Sequence, residues 1–222
     1  MKQVINLKMK KIFTVIVIVI FGFSVQAQDA QKAKDLLEDV YSTVTSYDNI
    51  KIDFTYVLEN PDAGVKQETQ GNVTLKGNKY IANLFGSTQM FDGTKVYTIV
   101  PDNEEVTIED KTDDDDTVTP SKMLTFYKEG HNYAWDILQN VSGRKIQFVK
   151  LTPIDSNSEI KTILLGVDAQ TKHIYKLIET GKNGTKTTIT VNSFKSNQTL
   201  SKSLFTFDEA KFEDEGYYII KN

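Results

Sequence analysis

The chain of 222 residues has no cysteine, two histidines (His131 and His173), a single arginine (Arg144) and four prolines. Without cysteine there is no disulfide framework, thiol nucleophile or thiolate metal site, and two histidines are too few for most zinc centres. Positive charge is also short: 26 Lys+Arg face 30 Asp+Glu, a net charge of −4. Lys2, Lys8, Lys10 and Lys11 are the only charges in residues 1–27, so the remainder carries 22 against 30, or −8. Such a surface repels phosphate, which excludes nucleic acid as a partner and disfavours anionic headgroups. Missing too are the Gly-x-Ser-x-Gly elbow, the phosphate loop, His-Glu-x-x-His and the dinucleotide glycine fingerprint. Asp168, His173, Ser156 and Ser158 could supply a Ser-His-Asp triad, but no motif binds them together. His173 reads instead as a strand residue at a sheet rim, and His131, beside Gly130 and Asn132, as a loop residue. The chain does not read as an enzyme, and no cofactor or metal is expected.

Long apolar runs are absent but for one. Residues 12–21 are almost wholly apolar, follow Lys8, Lys10 and Lys11, and precede Val25-Gln26-Ala27. A basic start, a short apolar run and a small-x-small site make a cleavable secretory signal, and the run falls short of the roughly 20 residues that span a bilayer. Cleavage after Ala27 leaves Gln28 first, with no cysteine to acylate. The expectation is a single soluble, exported domain over 28–222, monomeric and periplasmic.

What remains is dominated by sheet. One helical stripe is clear: Ala33, Leu36, Leu37, Val40, Val44 and Tyr47 recur at helical spacing. Then Ile50, Ile52, Phe54, Tyr56 and Leu58 alternate with Lys51, Asp53, Thr55 and Val57, which puts the five on one face of a strand. Further strand signals fall at Val73 and Leu75, at Tyr80, Ala82 and Leu84, at 96–100, and at Val106 and Ile108. Others cover 146–151, 160–167, 173–179 and 187–194, with Asp92-Gly93 and Asn183-Gly184 as hairpin turns. Many short strands and no linker-like shift in composition predict one antiparallel sheet, strongly curved or barrel-like.

One segment interrupts the strands. Four aspartates, Asp113, Asp114, Asp115 and Asp116, read as a solvated mobile loop ahead of a calcium site, because the spaced ligand pattern is missing. Thr119 can cap a helix that begins at Pro120, and Met123, Leu124, Phe126 and Tyr127 load it too heavily with apolar groups to stand in solvent. That helix, expected over 120–128, should lie in or over the mouth of the sheet. Twelve Phe, ten Tyr and one Trp fill either a core or the wall of an apolar pocket.

The order of motifs resembles the periplasmic outer-membrane lipoprotein carrier family (LolA). The export signal, the amphipathic helix and Asp53-Phe54-Thr55-Tyr56 are similar to its opening; Gly71-Asn72-Val73 and Phe91-Asp92-Gly93-Thr94-Lys95-Val96-Tyr97 to its next strands. Thr119-Pro120 with Met123-Leu124 resembles its inserted helix, Leu151-Thr152-Pro153 the strand beyond, and Leu204-Phe205-Thr206-Phe207 its closing strand. The resemblance implies a half-open antiparallel barrel under a helical lid, enclosing an apolar cavity for the acyl chains of lipoproteins. It also implies partners: acylated lipoproteins as cargo, an inner-membrane ABC lipoprotein-releasing complex as donor and an outer-membrane acceptor. The family's Arg-Pro pair, whose arginine bonds lid backbone, is replaced here by Gly77-Asn78, leaving Lys76 or Lys79 to substitute.

Alternation predicts a cavity wall of Phe54, Tyr56, Leu58, Val73, Leu75, Leu84, Met90, Phe91 and Tyr97. The lid residues expected are Leu36, Leu37 and Val40 with Met123, Leu124, Phe126 and Tyr127. The alternatives to a carrier are a periplasmic lipid-binding sensor and a secreted hydrolase using paired carboxylates.

Overall fold

The apolar stripe from Ala33 to Val44 does form a helix, and Tyr47 lies past its end. In the computed structural model, which describes residues 28–111 and 119–221, helix α1 covers 28–45. The proposed signal and the run Asp113 to Asp116 lie outside the described residues. Twelve strands follow: β1 (Ile50–Asn60), β2 (Val65–Lys76), β3 (Lys79–Leu84), β4 (Ser87–Phe91), β5 (Lys95–Val100), β6 (Glu105–Asp110), β7 (His131–Val141), β8 (Arg144–Pro153), β9 (Ile160–Asp168), β10 (Ile174–Gly181), β11 (Lys186–Ser196) and β12 (Tyr218–Lys221). Two short helices, α2 (Pro120–Met123) and α3 (Glu209–Asp214), lie between strands.

All twelve strands belong to one open, curved sheet ordered β12-β6-β5-β4-β3-β2-β1-β11-β10-β9-β8-β7. The chain meanders outward from β1 to β6, crosses through α2 to the far edge at β7, and meanders back until β11 pairs with β1. That last pairing joins the two halves, with Ile52 opposite Phe194 and Tyr56 opposite Ile189. Neighbours are antiparallel except β12, which adds parallel to β6.

The main core lies where α1 crosses the concave face. Ala33, Leu36, Leu37, Val40 and Val44 pack with Ile50, Ile52, Leu75, Tyr80 and Phe91 of one half and with Val149, Leu151, Ile163, Leu165 and Val167 of the other. Each buried aliphatic side chain contributes about 1.5–3 kcal/mol. The exit of α1 is fastened to the end of β11 by polar bonds: Asp48 N–H donates to Asn197 Oδ1 (2.8 Å), Asn49 Nδ2 to Gln198 O (2.9 Å), and Gln198 N–H to Asn49 Oδ1 (3.0 Å).

A second cluster of Met90, Tyr97, Val106 and Ile108 occupies the opposite, convex face and is covered by the C-terminal segment. Phe207 stacks on Tyr97 with centroids 4.5 Å apart, and Phe212 stacks on Phe207 at 5.1 Å.

Three local expectations are corrected. His131 opens β7, an edge strand of eleven residues, and is not in a loop; β7 has only one neighbour to bury against, so its sequence lacks a clean alternation. Leu204 to Phe207 are turn and coil; Phe205 and Phe207 are held by packing, and the closing strand is β12. The helix expected over 120–128 is split into α2 and a 3-10 turn at Phe126–Lys128, although Thr119 Oγ1 does accept from Lys122 N–H (3.2 Å) as a cap.

Gly71 marks a close approach inside the sheet. It lies opposite Phe54, and a Cβ there would stand 2.6 Å from Phe54 Cζ and 2.9 Å from Asn83 O. Gly71→Ala should therefore cost about 1–3 kcal/mol by overpacking. Denaturant titration should show a lower midpoint with an unchanged slope; an unshifted midpoint would mean that the Phe54 ring moves aside freely.

Candidate functional site

Between α1, the α2 segment and the centre of the sheet, the concave face encloses an apolar cavity of about 360 Å³. The pleat and the register explain its wall. Ile52 and Phe54 of β1, Val73 and Leu75 of β2, and Ala82 and Leu84 of β3 alternate onto one face, with Ile52 opposite Val73 and Val73 opposite Ala82. Leu177 of β10 lies opposite Ile189 of β11, and Val191 and Phe194 continue the wall. Val44 closes one side from α1; Pro120, Met123 and Leu124 close another.

Among the described residues the wall carries no ionisable side chain. Its polar groups are Ser87 and Gln89, and both are occupied: Ser87 Oγ donates to Leu84 O (3.0 Å), and Tyr80 O–H donates to Gln89 Oε1 (2.9 Å). A cavity with such a lining can take hydrocarbon out of water.

Of the residues expected on the wall, Phe54, Val73, Leu75 and Leu84 line the cavity, and so do Met123 and Leu124 of the expected lid. Tyr56 and Leu58 lie off the wall; Tyr56 instead meets Phe85 edge-on, with centroids 5.1 Å apart. Met90 and Tyr97 belong to the convex cluster. Met90 and Phe91 are adjacent in a strand and must point to opposite faces, and Tyr97 follows Met90 because the two are cross-strand partners. Phe91 does face α1, but as part of the main core. Leu36, Leu37 and Val40 are likewise buried in that core, since α1 lies too deep in the groove to act as an outer cover. Tyr127 is fully buried there and Phe126 packs against it; burial pushes the Tyr127 hydroxyl well above the ordinary tyrosine pKa.

Sequence reading missed Ile52, Ala82, Leu177, Ile189, Val191 and Phe194 as wall residues. Ile52 and Ala82 share the alternation of Phe54 and Leu84 and join the wall with them; Leu177, Ile189, Val191 and Phe194 join it through the pairing that brings β11 beside β1, which no local pattern shows. Lys79 does not replace the family arginine: its Cε lies 3.4 Å from where a Gly93 Cβ would stand, beside Asp92. Gly77 lines a smaller cavity of about 300 Å³ together with Val44, Leu75, Leu124 and Thr125.

The ingredients of a triad are employed elsewhere. Asp168 Oδ1 accepts from the backbone N–H groups of Gln170 and Thr171, and the carboxylate lies 3.9 Å from Arg144. His173 Nε2 and Tyr47 Oη are 2.8 Å apart, and the imidazole stacks on Phe194 at 3.8 Å. Ser158 Oγ accepts from Ile160 N–H. Burial raises the Glu179 carboxyl pKa, and Glu179 does not line the cavity. Nor do the described residues contain a group of three or more His, Asp or Glu able to hold a metal.

The comparisons agree with this geometry. The family model described as outer membrane lipoprotein carrier protein LolA matches residues 45–208. The chain belongs to the LolA family. Its members are extracytoplasmic binding and carrier proteins of lipids or lipoproteins. An uncharacterised conserved protein from Thermus thermophilus is similar in fold, with TM-score 0.53 and 7% identity over 86% of this chain and 99% of that one. The LolA superfamily protein NE2245 from Nitrosomonas europaea matches at TM-score 0.42 and 15% identity, over 79% and 98% of the two chains. The MucA/MucB complex of Pseudomonas aeruginosa provides a match at TM-score 0.39 and 12% identity, over 80% of this chain and 61% of that one. No curated protein matches the chain in sequence. Among the described residues no helix is long and apolar enough to cross a membrane.

The Tyr47–His173–Phe194 contact ties the exit of α1 to the cavity wall and gives it a pH dependence. Burial lowers the His173 pKa below its usual 6.5, against an opposing pull from Asp168. Between the lowered value and 6.5 the unfolded chain binds the extra proton, so stability is full above 6.5 and is lost as the pH falls through that window. The Tm of the wild type should drop more than that of His173→Gln between about pH 7.5 and about pH 5.5. Parallel curves would show that His173 titrates as it does in the unfolded chain.

Proposed function

We propose that the protein carries the acyl chains of lipoproteins across the periplasm. It takes them from an inner-membrane ABC lipoprotein-releasing complex and passes them to an outer-membrane acceptor, without catalysis or cofactor. On this reading residues 1–27 are removed as a secretory signal and 28–222 act as one domain. The observation that carries the proposal is the cavity itself: a largely apolar pocket beside the α2 segment, with no ionisable group in its wall among the described residues. Membership of the LolA family supports it.

Burying acyl chain is worth about 0.8 kcal/mol per CH₂, so a chain of about fifteen methylenes is held against water by on the order of 12 kcal/mol. Escape into water is then too slow to be useful, and transfer requires an acceptor with an equal or larger apolar site. Opening needs only a local change at Met123 and Leu124, which are joined to the sheet by side-chain contact and not by a strand ladder. Closure that rests on apolar contact should depend weakly on salt.

Mass spectrometry of organic extracts from protein purified out of its native envelope tests the cargo. Acylated lipoprotein is the expected ligand; free lipid would point to a lipid sensor or another lipid carrier, and an empty cavity would count against both. The lid has its own test. Replacing Met123 and Leu124 together by serine should weaken retention of a labelled lipopeptide while the far-ultraviolet strand spectrum stays unchanged. Wild-type retention in that double variant would remove the segment from the mechanism.

A further inference from the structure

The cavity must open somewhere for a chain to enter, and two residues mark the place. Among the described residues, the exposed large hydrophobic side chains that also line the cavity are Phe85, at 60% exposure, and Met123, at 40%. Met123 belongs to the lid segment. Phe85 sits in the two-residue turn between β3 and β4.

That turn departs from what its backbone favours. Phe85 has φ +54° and Gly86 φ +75°, the positive values of a type I′ turn, for which Asn-Gly is the preferred pair. A bulky side chain at positive φ is a genuine outlier. The other non-glycine residues at positive φ are Glu104, Ser142, Lys172 and Asn197, all polar. Phe85 is thus the apolar member of the set, strained and wet, with its ring edge-on to Tyr56 at 5.1 Å. The sheet is also stepped at this point. β3 pairs with β2 only over Asn72–Lys76, although β2 begins at Val65, so the flank of β2 beyond Asn72 is open beside the turn. Strain of this kind persists where the conformation is used.

We propose that Phe85, braced by Tyr56, is the portal residue of the cavity: it grips a long acyl chain where the chain leaves the closed pocket, opposite Met123. This deepens the carrier reading and rests on it. A short chain, contained within the pocket, would not reach the ring; a long one would lie across it. The residue then discriminates chain length through release rate.

The decisive variant is Phe85→Asn, which suits the turn and removes the ring. Its Tm should rise by about 2–4 °C as the strain is relieved. It should also release a fluorescent palmitoyl lipopeptide at least about tenfold faster than wild type, the equivalent of ~1.4 kcal/mol of lost apolar contact. Release of the matching butanoyl lipopeptide should be unchanged. Phe85→Leu, apolar but without the ring, should fall between the two on the palmitoyl probe and provides the same comparison if the Asn variant does not fold. Equal acceleration of both probes, or none in a wild type that retains palmitate, overturns the portal role and leaves the cavity reading standing. A wild type that retains neither probe overturns both.

Discussion

The structure depends on one packing event, the burial of the α1 stripe in the concavity of an open sheet. A twelve-stranded sheet with two free edges has no closure of its own to fix its curvature. The stripe from Ala33 to Val44 supplies a fixed object for the sheet to curl around, because it contacts β1, β2, β3 and β4 on one side and β8 and β9 on the other. Remove that contact, and the β1–β11 pairing alone joins two meanders. The bonds of Asp48 and Asn49 to the 197–198 segment set where the helix ends along β11. Beyond that end, at Val44, the concave face continues past α1, and the stretch that α1 leaves uncovered is the cavity, closed on one side by Pro120, Met123 and Leu124.

Core and site share residues in this arrangement: Val44, Ile52, Val73 and Leu75 belong to the main core and also line the cavity. The cavity wall is therefore held in place by the same packing under α1 that stabilises the sheet, while the convex cluster stands apart from it. The C-terminal segment contributes here indirectly. By stacking Phe207 and Phe212 over Tyr97, it covers the back of β4 and β5, so the convex face of those strands stays dry.

Periodicity made the helix and most strands legible, because each is encoded within a dozen consecutive residues. What it left unread was partner choice. Ile189 and Val191 alternate with Thr188 and Thr190 as plainly as Phe54 alternates with Thr55, but no local feature says that their strand lies beside β1. Met90 and Tyr97 show the converse problem. Their strands are apolar on both faces, since one face meets α1 and the other the C-terminal segment, and hydrophobicity cannot then say which face is which. β7 escaped notice because an edge strand bearing exposed Trp135, Ile137 and Leu138, with a register shift between Trp135 and Leu138, has no simple period.

The replacement of the family's Arg-Pro pair by Gly77-Asn78 gains a physical meaning in this setting. An arginine latch would hold the lid by a charged hydrogen bond, a directional contact that must be broken before the lid moves. Here Gly77 presents no side chain, Lys79 is turned toward Asp92, and Leu124 lines a small cavity with Gly77 and Leu75. On the proposed carrier function, closure would be the same interaction as cargo binding: apolar area withdrawn from water. A lid held that way competes with nothing polar, so an apolar acceptor surface could take its place piece by piece, and cargo beneath it would supply the contacts that keep it shut.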